Sequence, residues 1–199
     1  MEIINLIDPF PHIIIHNFYD TYEQKLIWEE LVFLNKPEKM QPPDKTGDPL
    51  ASKNKKSLFL DFLYTHRNCS NILNVNRKIF TLINYIEDFN ISNNLRYSNY
   101  DETMVSYYDD GAYYDSHRDE FIISSITTFW NEPKKFTGGD LIFTEYNYLP
   151  EMKHNTMIIF PSFVFHKVSQ VSLDFDSENN GRYTINQFYS VQQPNNTKL

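Results

Sequence analysis

The stretch that decides the class of fold runs from Tyr107 to Trp130, YYDDGAYYDSHRDEFIISSITTFW. Its second half, FIISSITTFW, is short, β-branched and aromatic, which is the composition of a strand. TMVSYY, DLIFTEY, NTMIIF, FVFHKV and RYTINQFYSV have the same character and are separated by Gly-, Pro- or Asn-rich turns. Upstream the period is different. DTYEQKLIWEELVFL opens with Asp20 as a cap and places Leu26, Ile27, Leu31 and Leu34 at helical spacing. NILNVNRKIFTLINYIED, residues 71–88, repeats apolar positions every three or four residues and predicts a second amphipathic helix. PHIIIHNF reads as a short strand ahead of the first helix. Helices followed by many closely spaced strands predict an α+β chain, a helical layer packed on a β-sandwich or jelly roll with room for a site between its sheets.

The 199 residues fit one domain, long enough to bury a core without disulfides. Within it, residues 1–100 are expected to give helical support and a substrate loop, 101–190 the jelly-roll core, and 191–199 a tail. A hydrophobic content of 41% with 16% aromatics excludes a disordered or fibrous chain. The net charge of −8 argues against broad contact with a phosphate backbone, so nucleic acid is not an expected partner. MEIINLIDPFPHIII starts acidic and breaks its apolar run at Asp8, Pro9 and Pro11, so neither a secretion signal nor a membrane span is read there. The lone cysteine, Cys69, suits a reducing compartment and a packing role, and the expectation is a cytoplasmic protein. Residues 35–57, NKPEKMQPPDKTGDPLASKNKKS, lack periodicity and predict a surface loop or lid.

A strand sends side chains i and i+2 to one face, so His117 and Asp119 can converge on a metal ion from one strand end. A third ligand is then needed, and FVFHKV offers His166, because a jelly roll brings late strands beside early ones. Two imidazoles and one carboxylate on a face of an octahedron leave three positions open, the arrangement of non-heme Fe(II) oxygenases. By itself His-x-Asp fits a surface histidine paired with a carboxylate better than a ligand pair. RYTINQF puts Arg182, Thr184 and Asn186 on one face and Tyr183, Ile185 and Gln187 on the other. A guanidinium grips a carboxylate through two parallel hydrogen bonds and the Thr184 hydroxyl adds a third, so the natural guest of an inward polar face is a dicarboxylate. His12, His16, His66 and His154 have no partner at ligand spacing and read as packing or surface residues. Tyr107 and Tyr113 read as core, and Trp130 fits core or pocket wall equally.

With these residues in place, the sequence resembles the 2-oxoglutarate/Fe(II)-dependent oxygenase superfamily, most of all its prolyl 4-hydroxylase-like branch. Members space Tyr, Gly, Tyr, His and Asp as Tyr108, Gly111, Tyr114, His117 and Asp119 are spaced here. TGGDLIF is similar to the family's Gly-Gly-x-Leu-x-Phe strand, IIFPSFVFHKVSQV to its Phe-Pro segment before the distal histidine, and PFPHIIIHNF to the strand that opens such domains. The resemblance spans Thr103 to Tyr189 and leaves residues 37–70 unmatched.

It implies a double-stranded β-helix (jelly roll, cupin-like) with the N-terminal helices packed on one sheet. It implies His117, Asp119 and His166 as iron ligands, Arg182 and Thr184 on the distal carboxylate of 2-oxoglutarate, and Tyr108 as a further donor to it. Tyr114 would line the substrate side, with Trp130 as a second candidate there. The implied cofactor is Fe(II), with 2-oxoglutarate and O2 as cosubstrates and ascorbate as an auxiliary. The implied reaction hydroxylates a C–H bond, first of all on prolyl residues of a peptide or protein, releasing succinate and CO2. A free amino acid or other small metabolite is the alternative substrate, and a catalytically silent jelly-roll binding module is the alternative from another class. Asp119 separates the chain from halogenase relatives, which lack that carboxylate, and Phe188 stands where nucleic-acid demethylase relatives carry a second arginine. Two departures are visible: collagen-type enzymes have lysine where this chain has Arg182, and SLDFDSENN lengthens the stretch between His166 and Arg182.

Overall fold

Alternation and helical periodicity sort the chain into layers much as the sequence predicts. The computed structural model describes residues 1–46, 48–83, 86, 90–174 and 178–192. Strands β1 (Glu2–Leu6) and β2 (His12–His16) lead into helix α1 (Thr21–Leu34). Asp20 caps that helix through a reciprocal bond pair with Glu23, each side chain accepting from the other's backbone N–H at 2.8 Å. Short helices α2 (Pro43–Thr46), α3 (Leu60–Leu63), α4 (Asn71–Asn76), α5 (Ile79–Leu82) and α6 (Asn90–Tyr97) follow, with strand β3 (Lys55–Phe59) between the first two. The rest is strand: β4 (Tyr100–Tyr108), β5 (Tyr114–His117), β6 (Ile123–Phe129), β7 (Phe136–Gly138), β8 (Leu141–Phe143), β9 (Thr156–Pro161), β10 (His166–Val168), β11 (Val171–Leu173) and β12 (Arg182–Ser190).

The strands build a seven-stranded antiparallel sheet in the order β1-β2-β9-β6-β12-β4-β3, a three-stranded sheet β5-β10-β8 and a pair β11-β7. On β12, Tyr183, Ile185 and Tyr189 face the helices and share a core with Ile27 and Leu31 of α1 and Leu73 of α4. A second apolar cluster joins Ile126 and Ile158 of the large sheet to Leu141 and Phe143 of the small one, so two sheets sandwich the interior of the jelly roll. No helix among the described residues is long and apolar enough to cross a membrane.

Several expectations change. The helix predicted over 71–88 is divided, because Lys78 N–H bonds to Val75 O and Phe80 N–H to Arg77 O in tight i→i+3 turns between α4 and α5; residues 84, 85, 87 and 88 lie outside the described residues. Of the tail, 193–199 lie outside them too, as do 175–177 of the lengthened stretch. Cys69 is exposed, not packed, on a single 3₁₀ turn. Tyr113 is also exposed, whereas Tyr107 is core. Most consequential is the lysine-rich loop. Ser52 N–H donates to Tyr113 O at 3.1 Å and Asp115 N–H to Leu50 O at 2.9 Å, so this segment is stitched along β5 before running into β3.

Candidate metal and anion site

Strand β5 ends at His117, Asp119 follows in the next turn, and His166 opens β10 directly opposite His117 in the antiparallel register. Each imidazole is held by its own chain. His117 Nδ1 donates to Asp115 O at 2.8 Å and His166 Nδ1 donates to Val164 O at 3.0 Å. This tautomer leaves both Nε2 lone pairs free, and they point at the Asp119 carboxylate, 3.8 Å and 3.9 Å away. One donor atom from each of the three residues falls within 4.8 Å of the others, close enough for one ion. Asp119 is fixed from two sides: its N–H donates to Ser162 O at 2.9 Å, and the Ser124 hydroxyl donates to its Oδ2 at 2.5 Å.

The electrostatics suit a cation. Burial, then the neighbouring His166, lowers the His117 pKa to about 4, and burial lowers that of His166 to about 4, so both rings are neutral ligands at neutral pH. Burial pushes the Asp119 carboxyl up, opposed by the Ser124 hydrogen bond. Two neutral imidazoles and a carboxylate fit an Fe(II) ion with open positions.

The floor of the same cavity is set by strand register. Lys55, Tyr108 and Arg182 form one row across β3, β4 and β12, and Ser57, Ser106 and Thr184 form the next. Beyond them lie Phe59, Met104, Asn186 and Ile126. Paired residues in a sheet share a face, so polarity runs from cationic through hydroxyl to apolar along one surface. Arg182 is 1% exposed, yet neither of its terminal nitrogens has a hydrogen-bond partner among the described residues. The buried hydroxyls of Ser106 and Thr184 are unpartnered there as well. A buried guanidinium without a hydrogen-bonded counter-ion costs several kcal/mol (order of magnitude), and a carboxylate is the group that would offset this. Burial raises the Tyr108 phenol, which therefore stays a donor, and Arg182 lies over its ring at 5.3 Å. Two glycines permit this packing. A Cβ on Gly139, whose φ is +68°, would lie 2.8 Å from Arg182 Cδ, and one on Gly181 would meet Tyr108 O at 2.2 Å.

A cavity of about 500 Å³ joins the histidine-aspartate cluster to Arg182 and Thr184. Tyr108 and Tyr114 line it too, and the Tyr114 ring stacks on His117 at 3.9 Å. Trp130 does not line it. Its side chain packs edge-on against Phe136 and donates from Nε1 to Glu132 at 2.5 Å. Ser124, which holds Asp119, is near the start of β6; Trp130 lies six residues on, at the far end, roughly 20 Å away along an extended strand. Sequence reasoning also missed Ser124, Asp48 and Lys55. One of the four hydroxyl residues of β6 carries no local signal that sets it apart, and a lysine within KNKKS reads as solvated.

Residues 103–190 match the family model described as the 2OG-Fe(II) oxygenase superfamily. Among solved structures, the fold is similar to a prolyl-4-hydroxylase of Pseudomonas putida, with 15% identity over 92% of this chain and 93% of that one and a TM-score of 0.64. It is similar to the viral collagen prolyl hydroxylase of Paramecium bursaria Chlorella virus-1, at 14% identity, 91% and 96% coverage and TM-score 0.57. A 2OG-Fe(II) oxygenase family oxidoreductase of Burkholderia pseudomallei gives 11% identity, 90% and 85% coverage and TM-score 0.57. No curated protein sequence matches.

Proposed function

We propose that this chain is a 2OG-Fe(II) oxygenase, an oxidoreductase using Fe(II) and 2-oxoglutarate, and that it hydroxylates a C–H bond of a prolyl residue in a peptide or protein; the match of residues 103–190 to the family model and the His117, Asp119 and His166 cluster support the reading. The observation that carries the reading is the fully buried Arg182, whose two unpartnered terminal nitrogens belong to the wall of the cavity that holds the His117, Asp119 and His166 donors. A structural arginine would have its own carboxylate; a cosubstrate-binding one waits for it.

In this reading His117, Asp119 and His166 hold the iron. Arg182 grips the distal carboxylate of 2-oxoglutarate through paired hydrogen bonds, with the Thr184 hydroxyl and the Tyr108 phenol as further donors. When bound, iron supplies the oxidative chemistry, in which one oxygen of O2 enters succinate as CO2 leaves and the other enters the substrate C–H bond. The protein's share is orientation and exclusion of water. Arg182, Tyr108 and Thr184 suit the dicarboxylate, and the apolar residues Phe59, Met104, Phe121 and Phe188 suit an uncharged ring or aliphatic group. The ring of a prolyl residue suits the apolar part of this wall, which Arg118, Glu120 and Asn186 interrupt. The likeness in fold to two prolyl hydroxylases supports the same choice.

The test is an anaerobic titration of the purified chain with Fe(II) and 2-oxoglutarate, followed by admission of air with capped prolyl peptides. A visible charge-transfer band, absent in His166→Ala, and peptide gaining one oxygen with stoichiometric succinate are expected. A folded chain without the band would overturn the oxygenase reading; the band with no oxygenated peptide would overturn the prolyl one.

A further inference from the structure

Lys55 is a fully buried charged group beside the site that the proposed chemistry leaves unused. It is 2% exposed, and its one salt-bridge partner among the described residues is Asp48, with Nζ 3.4 Å from Oδ2. The same ammonium lies over the Tyr114 ring, 4.3 Å from its centroid. The His117 imidazole is stacked on that ring at 3.9 Å. The Tyr114 ring is thus in contact with both the lysine cation and the imidazole.

Asp48 ties the arrangement together. Its Oδ1 accepts from the Leu50 N–H at 3.3 Å, closing a turn, and the nearby Tyr114 phenol is pushed up by burial and then by the Asp48 charge. One carboxylate thus joins three pieces: the segment that flanks the cavity mouth, strand β3 of the large sheet and strand β5 of the small sheet. Backbone bonds reinforce the join, from Ser52 N–H to Tyr113 O and from Asp115 N–H to Leu50 O. Asp115 O is in turn the acceptor that orients His117 Nδ1. The ring that carries the metal-facing nitrogen is therefore braced on its flat face by Tyr114 and on its edge by a strand to which the Asp48 turn is tied.

We propose that Lys55 is a positioning residue for His117, acting through the Tyr114 ring, with Asp48 as its anchor. The proposal rests on His117 being an iron ligand. Tyr114 also packs against the apolar cluster that includes Tyr108 of the large sheet, and the Lys55 ammonium over its ring adds an electrostatic attraction to that packing. Groups that orient a metal ligand affect metal affinity by about 10- to 100-fold, whereas the dicarboxylate end of the cavity, fixed by β12 and β4, should not feel the change.

The experiment compares wild type, Lys55→Met and the double variant Asp48→Asn/Lys55→Met. It measures Fe(II) affinity by anaerobic chelator competition, 2-oxoglutarate affinity at saturating Fe(II) from the charge-transfer band, and the thermal midpoint. Lys55→Met is expected to weaken Fe(II) by about tenfold, with 2-oxoglutarate affinity within about twofold of wild type. It also leaves the half-buried Asp48 carboxylate without its cation and lowers the midpoint; the double variant removes that charge and regains midpoint. In the double variant Fe(II) affinity should remain weak, because the cation on Tyr114 is still missing. Wild-type Fe(II) affinity in Lys55→Met, or its full return in the double variant, would overturn the proposal and leave the pair as a stabilising contact only. A wild type that binds Fe(II) but forms no band with 2-oxoglutarate would instead sink the oxygenase reading, and the Fe(II) affinities would still decide the role of Lys55.

Discussion

The two sheets that enclose the cavity hold their functional groups in opposite ways. On the large sheet, Arg182 and Thr184 belong to a nine-residue strand with unbroken register to β4, and with β6 paired on its other side from Tyr183 onward. On the small sheet, the two histidines sit at the ends of strands four and three residues long, and the pairing of β5 with β10 shifts register between His166 and Val168. A long ladder fixes side chains by itself. Short strands do not, and there the burden passes to single bonds: each imidazole to its own chain, Ser124 to Asp119, Tyr114 against His117. The anion end should therefore yield to changes in backbone packing and the metal end to changes in individual side chains.

The largest effect expected is from Gly181→Ala. Its new Cβ would meet Tyr108 O at 2.2 Å, so the start of β12 must move off β4 exactly where Arg182 pairs with Tyr108. Overpacking of this kind costs about 1–3 kcal/mol of stability, and misplacing a charge-assisted bond pair should weaken 2-oxoglutarate by about 10- to 100-fold. Isothermal titration of both ligands would check it, because Fe(II) affinity should hold. Equal losses in both would break the contrast between the sheets.

Ser124→Ala should act the other way round. Without the hydroxyl donor on Oδ2, Asp119 loses a bond that orients it, and Fe(II) affinity is expected to fall by about tenfold. Affinity for 2-oxoglutarate at saturating metal should be nearly unchanged, as the charge-transfer titration would show.

The smallest effect concerns pH in the metal-free protein. His117 and His166 have folded pKa values of about 4 against an ordinary 6.5. Between those values the unfolded chain binds more protons than the folded one, so stability falls as pH drops from 6.5 toward 4. Asp119, raised by burial, opposes this, since its folded form takes up a proton earlier on acidification. Two histidines against one aspartate leave a net loss of stability on acidification. Urea unfolding at stepped pH would measure it, and a flat profile in His117→Ala/His166→Ala would assign it to the small sheet.

The same contrast explains what could be read without coordinates. The alternation of RYTINQF states its two faces outright, and β12 is found with Arg182, Thr184 and Asn186 inward. The histidine-aspartate spacing is legible because ligand chemistry demands particular residue types. What escaped is what depends on partners far away in sequence. Ser124 is one of four hydroxyls in β6 until Asp119 folds back on it. Lys55 looks like a solvated charge until β3 pairs with β4 and Tyr114 covers it. Trp130 could have faced the cavity, and only its place beyond the end of β6, beside Phe136, decides otherwise. Whether an apolar period runs unbroken is also a tertiary matter, as the turn between α4 and α5 demonstrates.

The buried Arg182 guanidinium, whose terminal nitrogens have no hydrogen-bond partner among the described residues, has a consequence for the life of the protein outside turnover. Folding without an anion buries a positive charge at a loss, so a dicarboxylate acts as a missing piece of the interior and not only as a reactant. A ligand at a hundred times its dissociation constant adds about 2.7 kcal/mol to the folded state. The folded fraction, and with it resistance to proteolysis, would then rise and fall with the dicarboxylate supply, making the amount of this protein itself a readout of its cosubstrate.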